Sequence, residues 1–82
     1  MDEFYLTSGG HLAGITQDNL SNAEKASPKG LATMLENKEI IRLQDNIKVQ
    51  ALERSVEYKM IKIRFMDSDV WVREDALKRI QQ

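Results

Sequence analysis

Cysteine is absent from this 82-residue chain. No disulfide and no thiolate metal site can therefore hold the fold together. A chain this short forms one domain with a modest core, so with those staples missing the sequence points to self-association or a partner surface as further support. A single histidine makes a zinc site improbable, and nothing else suggests a metal or a cofactor. No apolar run approaches the ~20 residues of a membrane span, and the acidic Met1-Asp2-Glu3 start is the wrong flank for a signal peptide. The expectation is a soluble, cytoplasmic protein. Neither sign of charge dominates. Twelve basic residues face thirteen acidic ones, a net charge of -1, so no general attraction to nucleic acid is built in. Glycine and proline are scarce, and all four glycines and the only proline lie in the first thirty residues. That shift in composition separates an irregular segment, residues 1–27, from a more regular remainder within one domain spanning residues 1–82.

The most legible stretch runs from Tyr58 to Ile80. Ile61-Lys62-Ile63-Arg64-Phe65 alternates apolar and basic residues, and Val70-Trp71-Val72-Arg73 alternates again. Both have the period of half-buried strands. Met66-Asp67-Ser68-Asp69 reads as a four-residue loop, which pairs Phe65 with Val70 and Ile63 with Val72. The outward face then sets Arg64 opposite Trp71, as a cation–π pair, and Lys62 opposite Arg73, a repulsive pair needing an anionic neighbour. Glu74 and Asp75 at one end and Lys78 and Arg79 at the other suit the dipole of a short closing helix, with Leu77 and Ile80 covering the hairpin.

Earlier in the chain, Phe4-Tyr5-Leu6-Thr7 reads as a short strand ended by Ser8-Gly9-Gly10. Thr16 to Ala26 offers few apolar anchors, with Ser21 and Glu24 at capping-box spacing, and fits either a short surface helix or a mobile segment. Ser27-Pro28 is a strong helix start, with Leu31, Met34 and Leu35 as a buried stripe and an end near Asn37 or Lys38. Glu39 to Ser55 is ambiguous. Charge pairs three apart favour a helix. The rival reading is a hairpin turning at Gln44-Asp45-Asn46, with Asn46 left-handed, Leu43 opposite Ile47 and Ile41 opposite Val49. It would place Arg42 and Lys48 together outside. Helix is preferred, because a meander normally needs more glycine.

Catalytic motifs are weak. Ser8 and His11 are close in sequence but lack an oxyanion site or a cleft. Gly9, Gly10 and Gly14 match neither a P-loop nor a dinucleotide fingerprint. Asp67 and Asp69 fall short of a calcium loop and serve as turn formers. The expectation is a non-enzymatic protein.

The expected fold is α+β, two or three helices followed by a β-hairpin and a short C-terminal helix, which is the layout of a winged-helix domain. The alternative is a small mostly-β meander or barrel with flanking helices. The first expected function is a DNA-binding transcriptional regulator, a homo-oligomer contacting phosphates through Lys62, Arg64 and Arg73, with Arg42 and Lys48 on the preceding element. The other is a protein–protein interaction module, such as a small inhibitor, adaptor or assembly subunit, anchored by Trp71.

Overall fold

A computed structural model describes residues 3–80, leaving Met1 and Asp2 of the acidic start outside it. The helix-then-hairpin layout is overturned. Seven antiparallel strands form one sheet, and the mostly-β alternative is the one that fits. In chain order these are β1 (Glu3–Thr7), β2 (Leu12–Gly14), two helices, α1 (Gln17–Lys25) and α2 (Pro28–Glu36), then β3 (Ile40–Arg42) and β4 (Lys48–Ser55). They are followed by β5 (Met60–Phe65), β6 (Ser68–Arg73), a single 3-10 turn at Glu74–Ala76, and β7 (Leu77–Arg79). The order across the sheet is β3-β2-β6-β5-β4-β1-β7.

The sheet is curled so that one face closes on itself. Ala13 of β2, Leu43, Val49 of β4, Ile61, Ile63 and Phe65 of β5, and Val70 and Val72 of β6 meet in one buried cluster. Among the described residues no second sheet covers them; a strongly twisted sheet bending over its own apolar face solves the same problem. The expected closing helix is absent. Its residues form the 3-10 turn, whose Ala76 is fully buried in this core, and then β7, which pairs with β1. Three-residue turns need no long apolar stripe, and the segment has only Leu77 and Ile80 to offer one.

Glu39 to Ser55 is strand rather than helix, but it is no hairpin either. Leu43 and Ile47 do not pair. Instead β3 pairs with β2, whereas β4 lies between β1 and β5. Thr7 decides this. Its backbone N–H donates to the Ile47 carbonyl at 2.9 Å, and its carbonyl accepts from the Asn46 N–H at 2.8 Å. Its hydroxyl, fully buried, donates to the Gln44 carbonyl and accepts from the Ile47 N–H at 3.0 Å. One threonine thus takes the hydrogen bonds that a local hairpin would have used. Asp45 accepts from the Gly9 N–H at 3.0 Å and faces Lys78 at 3.4 Å. The Gly9 amide first, then the Lys78 charge, hold its carboxyl below the ordinary carboxylate range. The contact therefore stabilises the loop above that range and is lost as pH falls through the lowered value.

The scarcity of glycine does not bar a meander here. Lys38, Asn46, Lys59, Met66 and Asp67 all take positive φ. These five non-glycine residues supply the left-handed positions that a meander needs, at about 1 kcal/mol or more each. Met66 and Asp67 form a two-residue turn with both residues left-handed, as a type I′ turn requires. The hairpin therefore closes two residues earlier than expected: Phe65 pairs with Ser68, Ile63 with Val70 and Ile61 with Val72.

Helix α1 starts at Thr16, whose hydroxyl accepts from the Asn19 N–H at 3.0 Å. The spacing of Ser21 and Glu24 plays no capping part. Leu20 and Ala23 are its buried residues. Helix α2 follows its sequence signals, with Ser27 as cap and Pro28 in the first turn, but its expected stripe is only half-buried. Gly14 lies under the start of α1. A Cβ there would stand 2.6 Å from the Leu20 nitrogen and 2.7 Å from the Thr16 carbonyl oxygen, both backbone atoms. Gly14→Ala must lift the first turn of α1 off the sheet. We expect a loss on the order of 1–3 kcal/mol, as for other overpacked sites, read as a drop of several degrees or more in melting temperature.

Candidate functional site

The sequence singled out the outward face of the β5–β6 hairpin, and the structure leaves little of it free. Trp71 is 9% exposed. It packs with Leu20 and Met60, and with half-buried Leu12, in a second core beneath α1. The expectation of an exposed anchor is therefore corrected. Trp71 stands opposite Lys62, not Arg64, and its indole is the seat on which α1 rests. Arg64 lies opposite Asp69 and pairs with it at 3.2 Å. Met60, not Lys62, is opposite Arg73, so the expected repulsion does not arise.

Arg73 has the most complete set of partners. Its guanidinium donates to both Glu24 oxygens, at 2.6 and 2.7 Å, and to the Tyr58 carbonyl. This two-pronged bond ties α1 to the end of β6. The Glu24 carboxylate, followed by its charge, holds the guanidinium above its ordinary value against the opposing effect of burial. The sequence supplied both partners, but they lie far apart in the chain and nothing local joins them.

Arg42 and Lys48 are not brought together. β3 and β4 are separated in the sheet by β2, β6 and β5. Lys48 sits 4.9 Å from the centroid of the Phe4 ring. Arg42 is exposed, and among the described residues it has no ion-pair partner.

Arg42 also marks a site that the sequence did not disclose. Between β3 and the tip of the β5–β6 hairpin lies an open groove of about 280 Å³. Its apolar walls are Ile15, Ile41, Phe65 and Val70, and Met66 stands at its edge. Arg42, Gln44 and Ser68 supply the polar atoms, and Arg42 is its only charged lining residue. Ile15 is 44% and Met66 69% exposed, so both present apolar surface to solvent.

The groove exists because β2 is short. β2 meets β6 at one pair, Gly14 with Trp71, and the chain then turns away into α1. Ser68, Asp69 and Val70 are thus left without a strand on that side. In a ladder closed by a two-residue turn between Phe65 and Ser68, alternate residues point their backbone groups away from the partner strand. The N–H and carbonyl of Asp69 therefore point away from β5, along the edge that β2 leaves uncovered, between the groove-lining Ser68 and Val70. Met66 adds a second peculiarity. It takes a left-handed turn position, where asparagine, aspartate or glycine is the usual choice, and shows its side chain to water.

His11 is half-buried and borders a separate hollow with Leu20, Glu24 and Arg73. Among the described residues no group of three or more His, Cys, Asp or Glu side chains is placed to hold a metal ion. Within the same residues no helix is long and apolar enough to cross a membrane. Comparison of the chain with protein-family models, curated proteins and solved structures gives no match.

Proposed function

We propose that this protein is a small non-enzymatic protein-interaction module, and that its contact surface is the groove between β3 and the β5–β6 hairpin. The observation that carries the reading is Met66, a flexible apolar side chain held over an apolar groove by a strained turn position that a polar residue would fill at lower cost. Methionine suits such a surface because its unbranched, polarizable chain adapts to what it meets. Strained backbone positions cluster where function maintains them.

The phosphate-contact reading has less to support it. It relied on a helix ahead of the hairpin to enter the major groove, and residues 39–55 form no helix. Two of its basic residues are also engaged, Arg64 with Asp69 and Arg73 with Glu24. A phosphate would have to compete with a carboxylate at each.

Two measurements test the reading together. A photo-cross-linker at position 66 should trap a discrete partner polypeptide in extracts of the source cell, and Ile15→Asp should abolish the adduct. The same cross-linker at exposed Glu36 should trap none. On heparin or duplex DNA at low salt the protein should not be retained, and Lys62→Ala and Arg64→Ala should change nothing. Retention that fades steeply with salt, weakened by those two variants, would replace this reading with nucleic-acid binding.

A further inference from the structure

We infer that the groove receives an extended peptide carrying one aliphatic side chain beside a carboxylate. This rests on the interaction reading above and specifies the chemistry of its partner. Three observations converge on that ligand. The first is the bare edge of β6. Asp69 does not itself line the groove, but it stands between the lining residues Ser68 and Val70 and directs its N–H and carbonyl away from β5 where β2 has departed, and an extended backbone is the group that satisfies both at the spacing of a strand. The second is the lining. Ile15, Ile41, Phe65 and Met66 surround about 280 Å³, room for one or two side chains. This is slightly below the ~300–1,000 Å³ of small-molecule sites. The third is charge. Among the described residues Arg42 is the only charged one that lines the groove, and like Arg79 it pairs with no acid there, whereas Arg54, Arg64 and Arg73 do. A guanidinium at the rim of an apolar groove is matched by a planar carboxylate, which it binds through two parallel hydrogen bonds.

Arg42 acts as the selector and the apolar walls as the anchor. A peptide lying along Ser68–Val70 extends the sheet beyond β2, with alternate side chains directed into the groove and away from it. Met66 closes over the inserted side chain from the hairpin tip. Asp69 disfavours nothing here, since its carboxylate is turned to Arg64 on the outer face.

The experiment is selection of random seven-residue peptides displayed on phage against the full chain, repeated on Arg42→Glu and Arg42→Gln. The expected winners on the native chain carry an aliphatic residue within two positions of Asp or Glu. On Arg42→Glu the acid should be exchanged for Lys or Arg, and on Arg42→Gln the charge preference should vanish. A synthetic winner should shift the amide resonances of Ser68, Asp69 and Val70, and its Asp→Asn or Glu→Gln version should bind at least about fivefold more weakly, as for loss of a charge-assisted pair. Peptides that shift those resonances but show no charge preference, or the same one on all three chains, would sink the acidic-peptide inference and leave the docking groove standing. If none are enriched, or the shifts map to another surface, both fall. Concentration-dependent dimerisation that Ile15→Asp abolishes would assign the groove to a second copy of the chain and overturn the inference.

Discussion

Val72→Asp unfolds the domain. Val72 is fully buried, pairs with Ile61 across the β5–β6 ladder and lies in the main core. The cluster around it is made of aliphatic and aromatic side chains, none of which carries a balancing positive charge. It must stay neutral, at the cost of a strongly raised pKa, or draw water into the closed face of the sheet. Stability of about 0.05–0.15 kcal/mol per residue leaves a domain of this size only roughly 4–12 kcal/mol in hand. A buried unpaired charge costs about 4 kcal/mol or more, so the native state should no longer dominate at 25 °C. Far-UV circular dichroism checks it: the variant should lack a cooperative thermal transition. A transition within a few degrees of the parent would show that Val72 does not face the core.

Trp71→Ala has the second largest expected effect. The position stands on the outward side of the hairpin, where neighbouring substitutions such as Lys62→Ala should move stability by about ±0.5 kcal/mol at most. Trp71, however, is covered by Leu20 of α1 and flanked by Met60. Removing the indole leaves α1 without its seat, and truncation of a buried tryptophan costs about 3–5 kcal/mol. Urea titration followed by circular dichroism measures the loss directly. Hydrogen exchange supplies the diagnostic detail: amides of Gln17–Lys25 should lose protection before those of β4 and β5. A loss below about 1 kcal/mol would mean that α1 is anchored chiefly by the Arg73–Glu24 bond.

The two variants also show what was legible in the sequence. The period of two identified β5 and β6 and their buried face, and the structure keeps both. It did not identify the register. Moving the turn from four residues to two shifts the pairing by two positions, and every side chain keeps its face. The left-handed conformations of Met66 and Asp67 distinguish the two registers, and methionine carries no turn signal. Trp71 failed for a different reason. Alternation tells which side of a sheet a residue occupies, but not whether a helix lies on that side. The helix at Gln17–Lys25 had too few apolar residues to declare itself a covering element, since Leu20 and Ala23 suffice for the job. Glu39–Ser55 misleads because its lack of glycine suggests a lack of turns, whereas Lys38, Asn46 and Lys59 supply the left-handed positions. The groove was hidden entirely, because it is a gap left by the early departure of β2. An absence of chain between two elements has no sequence pattern.

The pairing of β1 with β7 bears on how fast this molecule forms. Thr7 lies opposite Leu77, and β1 is the only partner that β7 has in the sheet. The other neighbour of β1, β4, is also distant from it in sequence, whereas β4, β5 and β6 form a continuous local meander. The meander can nucleate on short loops, but β1 must wait for contacts whose loop-closure entropy is paid before any reward is returned. Folding should therefore fall in the ms–s regime of nonlocal sheets. On the ribosome, β1 emerges first and finds its second neighbour last. In that interval Phe4 and Leu6 present an unfinished edge, the kind of transiently unpaired strand that exposes a folding chain to aggregation.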